Sequence, residues 1–287
     1  MNALSAKIRM LPPALLAGLL LCARVSAQEE AAVLAKGSGP YFESYLAFQK
    51  ALGRPVTPYD LSSGKASLPG SVRFAAAFGA KAAALRYPEG AKVICALAPG
   101  FNPAGSACAT LVLPLPEPGA ALDAFQALLP GLKTLAVVRA AGQKSAYHDE
   151  LAAAARTRGL ELAQVAASSP EDLPARLRSL QGRAGAVWLL PEPALITRTS
   201  LEVLAAYACS SRIPFFAPSA GLVEFGAAAA VAPGAEETGA AAARAFRAAV
   251  AGEILPQYVY PQSEVSYNAA VDGKCGLGLR PPAGARK

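Results

Sequence analysis

The sequence predicts an α/β protein built on parallel sheets, and three observations support that expectation. Short apolar runs rich in Val, Leu, Ile and Ala alternate with amphipathic runs of helical spacing along the chain, the pattern of strands joined by crossover helices. Within the apolar runs the hydrophobic residues are near-continuous, as expected of strands covered on both faces. Glycine or proline marks most of the junctions.

The chain opens on MNALSAKIRMLPPALLAGLLLCARVSA, in which Lys7 and Arg9 precede an apolar stretch ending at Leu21, with Val25, Ser26 and Ala27 ahead of Gln28. This is the plan of a secretory signal peptide, residues 1–27, cleaved after Ala27. Its apolar stretch is short for a membrane span. Leu21 ahead of Cys22 is also larger than lipoprotein processing accepts, so a soluble, exported, periplasmic protein that does not span the membrane is expected. Of 27 basic and 20 acidic residues, the segment removes three basic ones and no acid, which leaves 24 against 20. That balance is too mild for nucleic acid, and no Lys/Arg cluster interleaved with aromatics accompanies it.

Cys95, Cys108, Cys209 and Cys275 remain after cleavage and permit two disulfides in three connectivities. None of them has redox or zinc-knuckle spacing, and His148 is the sole histidine, so no metal and no cofactor are expected. Serine-hydrolase chemistry is disfavoured on the same ground: His148 would have to be the base, and no G-x-S-x-G elbow occurs.

Residues 31–35 (AAVLA) read as the first strand. A Gly-rich turn and a helix follow, in which Tyr41, Tyr45, Phe48 and Leu52 share a face before Gly53 ends it. PVTPY and VRFAAAF make weaker strands, and KVICALAP and TLVLPLP flank the loop GFNPAGSACA. Prolines 114, 116 and 118 mark a first crossing between two lobes. Beyond it, KTLAVVR is a buried strand, with a helix from about Ser145 to Gly159 and LELAQVA as the next strand. Ser169 caps a helix that Pro170, Glu171 and Asp172 open. GAVWLLP, a helix starting near Ala194, and IPFFAPS complete four strands. AAAAVAP precedes an Ala-rich helix with Glu236 and Glu237 in its first turn, and a polar-aromatic segment, PQYVYPQSEVSYN, leads to a tail, PPAGARK, expected to fray.

The ordered set LLPGLKTLAVV, AARTRGLELAQV, SSPEDLPARLRSLQGRAGAVWLLPEP, RIPFFAPSAGLVEFGA and ETGAAAARAFRAAVAGE ahead of SYNAAVDGKCGLGL resembles the substrate-binding proteins of ABC transporters, amino-acid-type binders with the type I periplasmic binding fold. The match is firm over about 128–280 and looser before. Three departures stand out: DLSSGKASLPGS is short where the family has a full helix, Glu192 replaces a common Asp, and Phe78-Gly79-Ala80 stands where many members have Thr or Ser. The resemblance implies two Rossmann-like lobes joined by a three-strand hinge, the first lobe 28–116 plus 234–255 and the second 117–233 plus 256–287. It implies a solute cleft between them, and an ABC permease as partner. A two-lobe protein that serves a sensory or accessory system instead of an importer is the alternative. The lobe assignment in turn pairs Cys95 with Cys108 and Cys209 with Cys275.

On that frame the candidate ligand contacts are Ser38 and Tyr41 in the turn AKGSGPYF, Gly79, Arg139, Glu192 and Ser219. The glycines of the turn let backbone approach an anion at the helix start beyond. Arg139 can clamp a carboxylate, and Ser219 can bond ligand or cap a helix. Glu192, pinned between Pro191 and Pro193, can accept from an ammonium or hydroxyl, or can cap the helix starting near Ala194; both readings stay open. Tyr147, Phe78 and Phe101 can wall the cleft, and His148 is expected to be a solvated helix residue. The solute expected is small and polar or zwitterionic, its donor end at Glu192 and its acceptor end at the Gly37 to Tyr41 turn.

Overall fold

The computed structural model describes residues 29–64, 67–142 and 146–286; the signal segment lies outside them. The strands are β1 (Glu30–Leu34), β2 (Pro58–Asp60), β3 (Phe74–Phe78), β4 (Lys92–Ala96), β5 (Cys108–Val112), β6 (Thr134–Ala140), β7 (Glu161–Ala167), β8 (Ala186–Leu189), β9 (Phe215–Ala217), β10 (Ala229–Ala232), β11 (Tyr258–Val259) and β12 (Glu264–Tyr267). The helices are α1 (Pro40–Leu52), α2 (Ala80–Ala83), α3 (Pro118–Leu128), α4 (Ala146–Thr157), α5 (Leu173–Arg178), α6 (Arg198–Ser211), α7 (Ala235–Val250) and α8 (Ala269–Cys275). Two six-stranded sheets result, in the orders β11-β5-β4-β3-β1-β2 and β12-β10-β9-β8-β6-β7. Every pairing is parallel except β10 with β12.

The continuous apolar runs have their explanation in two-sided burial. In the first sheet Ala32, Leu34, Phe78 and Ile94 pack under α1 and α7, while the alternate residues Ala31, Val33, Ala77 and Cys95 pack on the opposite face with α2. In the second sheet Val137, Trp188 and Phe216 face α3 and α4, and Val138, Leu189 and Phe215 face α5 and α6. Phe125 of α3 stacks on Phe216 with ring centroids 4.4 Å apart and meets Trp188 edge-on at 5.0 Å, an arrangement that adds to the area buried. Helix α1 ends where expected: Gly53 takes φ 74° and its N–H donates to the carbonyls of Gln49 and Lys50.

The chain crosses between the sheets three times, from β5 to α3, from β10 to α7 and from β11 to β12. The last crossing lies later than the expected boundary at 255/256. Tyr258–Val259 pairs with Leu111 and Val112, so this segment belongs to the first sheet, where it supplies partners to the edge strand β5: Leu111 N–H donates to Gln257 and Leu113 N–H to Val259.

Three further expectations are corrected. Ser169 makes no side-chain cap; the Asp172 carboxylate instead accepts the Ser168 N–H at 3.0 Å, because a 3-10 turn, Pro170–Asp172, precedes α5. The helix after β8 starts at Arg198, not near Ala194. The tail does not fray through Arg286, which receives the Tyr267 N–H on its carbonyl, donates its own N–H to Val265, and pairs its guanidinium with Glu264 at 2.7 Å.

The disulfides pair as expected, Cys95 with Cys108 at a Cα separation of 5.9 Å and Cys209 with Cys275 at 4.9 Å. Each stays within the layers of one sheet. The segment after β2 carries a single 3-10 turn, Leu61–Ser63, in place of a helix.

Helix α7 reaches α1 through Gly239, where an added Cβ would lie 2.6 Å from the Ala47 Cβ and 2.7 Å from the Phe48 nitrogen. Helix-on-helix approach at this point requires the missing side chain. Gly239→Ala is expected to cost about 1–3 kcal/mol of stability through overpacking, despite the better helix propensity of Ala. Urea denaturation that shows an unchanged or raised midpoint contradicts this packing.

Candidate functional site

Parallel pairing sends the segments after β4, β5, β6 and β8 out at the carboxyl ends of their strands, where crevices form. They enclose a cavity of about 350 Å³ that both lobes line. From the first lobe come residues 98–103 and Tyr258; from the second come Tyr147, His148 and residues 190–192; the crossing residues Pro114, Leu115 and Tyr260 form its floor. Across the opening, a Cβ added to Gly100 would lie 3.9 Å from the Pro193 ring, so the two jaws face each other directly.

The floor is tied to the second lobe. The Tyr147 hydroxyl donates to the Pro116 carbonyl at 3.1 Å, and the Tyr260 hydroxyl to the Glu150 carboxylate at 2.6 Å. Burial pushes both phenols well above their ordinary range, with the Glu150 hydrogen bond adding to the effect at Tyr260. The rings of Tyr147 and Tyr260 lie 6.1 Å apart. These contacts fasten the crossing segments that line the cavity to α4.

Glu192 owes its position to its backbone. Its N–H donates to the Leu190 carbonyl at 2.7 Å, and its carbonyl accepts from Leu195 and Ile196 at 2.9 and 3.1 Å, while Pro191 and Pro193 remove two donors from the turn. The side chain is not a cap: Thr197 caps α6, its hydroxyl accepting the Ser200 N–H at 3.1 Å. The Glu192 carboxylate makes no hydrogen bond or ion pair among the described residues. Burial raises its pKa, and the charge of Arg139 opposes the rise. Burial lowers the pKa of His148, Arg139 lowers it further, and Asp149 works the other way. The Arg139 guanidinium thus acts on both the half-buried Glu192 carboxyl and the half-buried His148 imidazole at the second-lobe face of the cleft. His148 is therefore not the solvated helix residue expected.

Of the candidate contacts, Glu192 lines the cavity, and Arg139 acts on Glu192 and His148 electrostatically while its Nε donates to Gln164 at 3.3 Å. The structure brings Tyr41 and Gly79 together: a Cβ on Gly79, at φ 106°, would lie 2.9 Å from the Tyr41 ring. That pair packs beside the first core and does not line the cavity, nor do Ser38 and Ser219. A Cβ added to Gly37 would lie 2.3 Å from the Asp60 carboxylate, so the side chain of Asp60 on β2 packs against this turn. Asn102, Tyr258 and Tyr260 are cavity-lining residues not singled out from sequence; for the two tyrosines the Tyr-Val-Tyr alternation on an edge strand was the available signal. No group of three or more His, Cys, Asp or Glu among the described residues is placed to hold a metal ion. No described helix is long and apolar enough to cross a membrane.

Two α/β lobes, three crossings and a cavity between the lobes at the carboxyl ends of the strands define a binding protein of the type I periplasmic class. Residues 120–268 match the family model for ABC transporter substrate binding proteins, and the chain belongs to that family of solute-binding proteins. No curated protein sequence matches it. Among solved structures, the chain is similar to a ligand-free, open substrate-binding protein with adhesive properties from Clostridium difficile, with TM-score 0.65, 14% identity, and coverage of 90% of this chain and 99% of that one. It is also similar to an ABC domain in complex with L-Trp from Streptococcus pneumonia, with TM-score 0.58, 15% identity, and coverage of 90% and 97%. A solute-binding protein from Agrobacterium vitis with bound allitol gives TM-score 0.50, 15% identity, and coverage of 86% and 98%. At these identities the likeness extends to the fold.

The raised pKa of Glu192 has a definite sign. The folded protein holds that proton more tightly than the unfolded chain, so the contribution favours folding below the unfolded pKa and is lost as pH rises through the folded value. At neutral pH, without ligand, Glu192 opposes folding. Glu192→Gln is expected to melt no earlier than the parent at neutral pH and to lose less stability between about pH 4 and neutrality. Thermal unfolding across that range checks this, and an earlier melt at neutral pH would restore a structural role for the carboxylate.

Proposed function

We propose that this protein is exported to the periplasm and captures a small solute for an ABC importer, the solute closing between residues 98–103 and 190–193. The observation that supports the reading most is Glu192: a half-buried carboxylate, held in place by its backbone, without a hydrogen-bond donor among the described residues, lining the cavity. Such a group gains most from a ligand ammonium or hydroxyl. Phe101, Tyr147, Tyr258, Tyr260 and several prolines and leucines make the rest of the wall mostly apolar and aromatic, so the solute carries an apolar body beside its donor end. A zwitterion of that kind, such as an amino acid, fits.

The acceptor end meets the loop after β4 in this reading, and not the Gly37 to Tyr41 turn. Asn102 lines the cavity there, and its Oδ1 accepts the Ala104 N–H at 3.0 Å, which leaves its amide N–H groups as donors. One lobe then holds each end, and contacts made only in the closed form favour closure by their differential energy. Binding is the whole of the activity in this reading. Glu192 is the one carboxylate among the described residues that line the cavity, and the match to a family of substrate-binding proteins supports capture over turnover.

A thermal-shift screen of amino acids and small metabolites identifies the solute, and calorimetry of Glu192→Gln tests the contact. Affinity is expected to fall by about 1.5–3 kcal/mol, roughly tenfold to a hundredfold, without loss of folding stability. Trp188, the single tryptophan, lies 6.4 Å from the Tyr147 ring, so its emission is expected to change on binding. Unaltered affinity in the variant contradicts the contact. If no solute shifts the parent's melt, the sensory or accessory role moves ahead of import.

A further inference from the structure

Within the runs β1–β5 and β6–β10, every connection but one carries an α-helix or a 3-10 turn. The exception joins β4 to β5, where residues 97–107 cross over a parallel pair with no regular element. Parallel crossovers of this length normally use a helix, whose own hydrogen bonds and packing hold it down. Here the loop's bonds are mostly internal: Phe101 N–H donates to Ala98, Ser106 N–H to Pro103, and Ala104 N–H to Asn102. Among the described residues no hydrogen bond ties residues 98–105 to another element.

This loop, held by the packing of Ala98 and Phe101 on the first lobe's core but by no hydrogen bond to another element among the described residues, is the first-lobe jaw of the cleft. Residues 98–103 line the cavity, and Gly100 faces Pro193. The chain enters the loop through Leu97 at φ 52°, a left-handed conformation that a branched side chain keeps only where the flanking structure imposes it. At the loop's base Cys95, fully buried near the end of β4, is bonded to Cys108 at the start of β5.

The geometry points to the Cys95–Cys108 disulfide as a positioning element of the binding cleft: it fixes residues 97–107 as the wall against which the solute is closed. The inference rests on the capture reading above. The bond does what a crossover helix does elsewhere in the sheet, restricting the loop before ligand arrives, so that binding does not have to order it. Cys209–Cys275 joins α6 to α8, and neither cysteine lines the cavity, which makes it the internal control.

The test uses the mature chain in three forms: unaltered, Cys95→Val/Cys108→Ala, in which valine keeps the buried volume, and Cys209→Ala/Cys275→Ala. Without solute, amide hydrogen exchange in peptides covering 97–107 is expected to quicken about tenfold or more in the first variant and to stay within about twofold in the second. Unchanged exchange in the first variant, or equal quickening in both, overturns the inference. The twenty free L-amino acids are then titrated by calorimetry, and any that binds the unaltered chain is expected to bind Cys95→Val/Cys108→Ala about tenfold more weakly. Quickened exchange with unchanged affinity also overturns it. A panel with no binder for the unaltered chain counts against the capture reading, while the exchange arms still decide whether the disulfide holds the loop. If Cys95→Val/Cys108→Ala does not fold, phosphine reduction of the unaltered chain under conditions that keep its circular dichroism supplies the same two measurements.

Discussion

Parallel strand pairing is the constraint on which the rest of this molecule depends. Because the strands of each sheet's main run point the same way, the connections that leave their carboxyl ends gather on one edge. Three crossings hold those two edges opposite each other. The cavity is a consequence of that arrangement, and so is the identity of most of its lining, which comes from residues that follow β4, β5, β6 and β8. Two-sided burial has a cost in sequence, since each strand must be apolar throughout, and this chain meets it largely with alanine. Small side chains bring the covering helices close, which is why Gly239 sits where α7 meets α1.

The cleft itself joins a rigid part to a charged one. Prolines and backbone hydrogen bonds fix the turn that carries Glu192, and burial without a hydrogen-bond donor among the described residues raises its pKa. The charge of Arg139 opposes that rise, and it adds to burial in lowering the pKa of His148. In the proposed capture reading a ligand donor would end that imbalance, and affinity would be gained at the residue where the empty protein is least well satisfied.

The α/β class, most strands and the disulfide pairing were legible because they follow from periodicity and from the order of motifs across the second lobe. Helix starts were less so. Prolines at 191 and 193 suggested an early start to the helix after β8, but the turn they enforce runs on until Thr197 can cap it. The tail looked free because its few residues are polar and Pro/Gly-rich, and nothing local announces that Arg286 adds to an open edge at β12. In the site, Glu192 was visible from its unusual flanks. The turn at Gly37 was also visible, but only tertiary structure shows that it lies beside Asp60 of β2 and does not line the cavity. Tyr258 and Tyr260 were hidden for the same reason: their place in the cavity depends on β11 joining the first sheet.

A crystal structure of the protein with the solute found by screening tests the central claim most directly. The solute is expected between residues 98–103 and 190–193, with a donor group within hydrogen-bond distance of the Glu192 carboxylate and the jaws nearer than in the empty form. A solute bound outside that cleft, or one that leaves Glu192 without a donor, would contradict it.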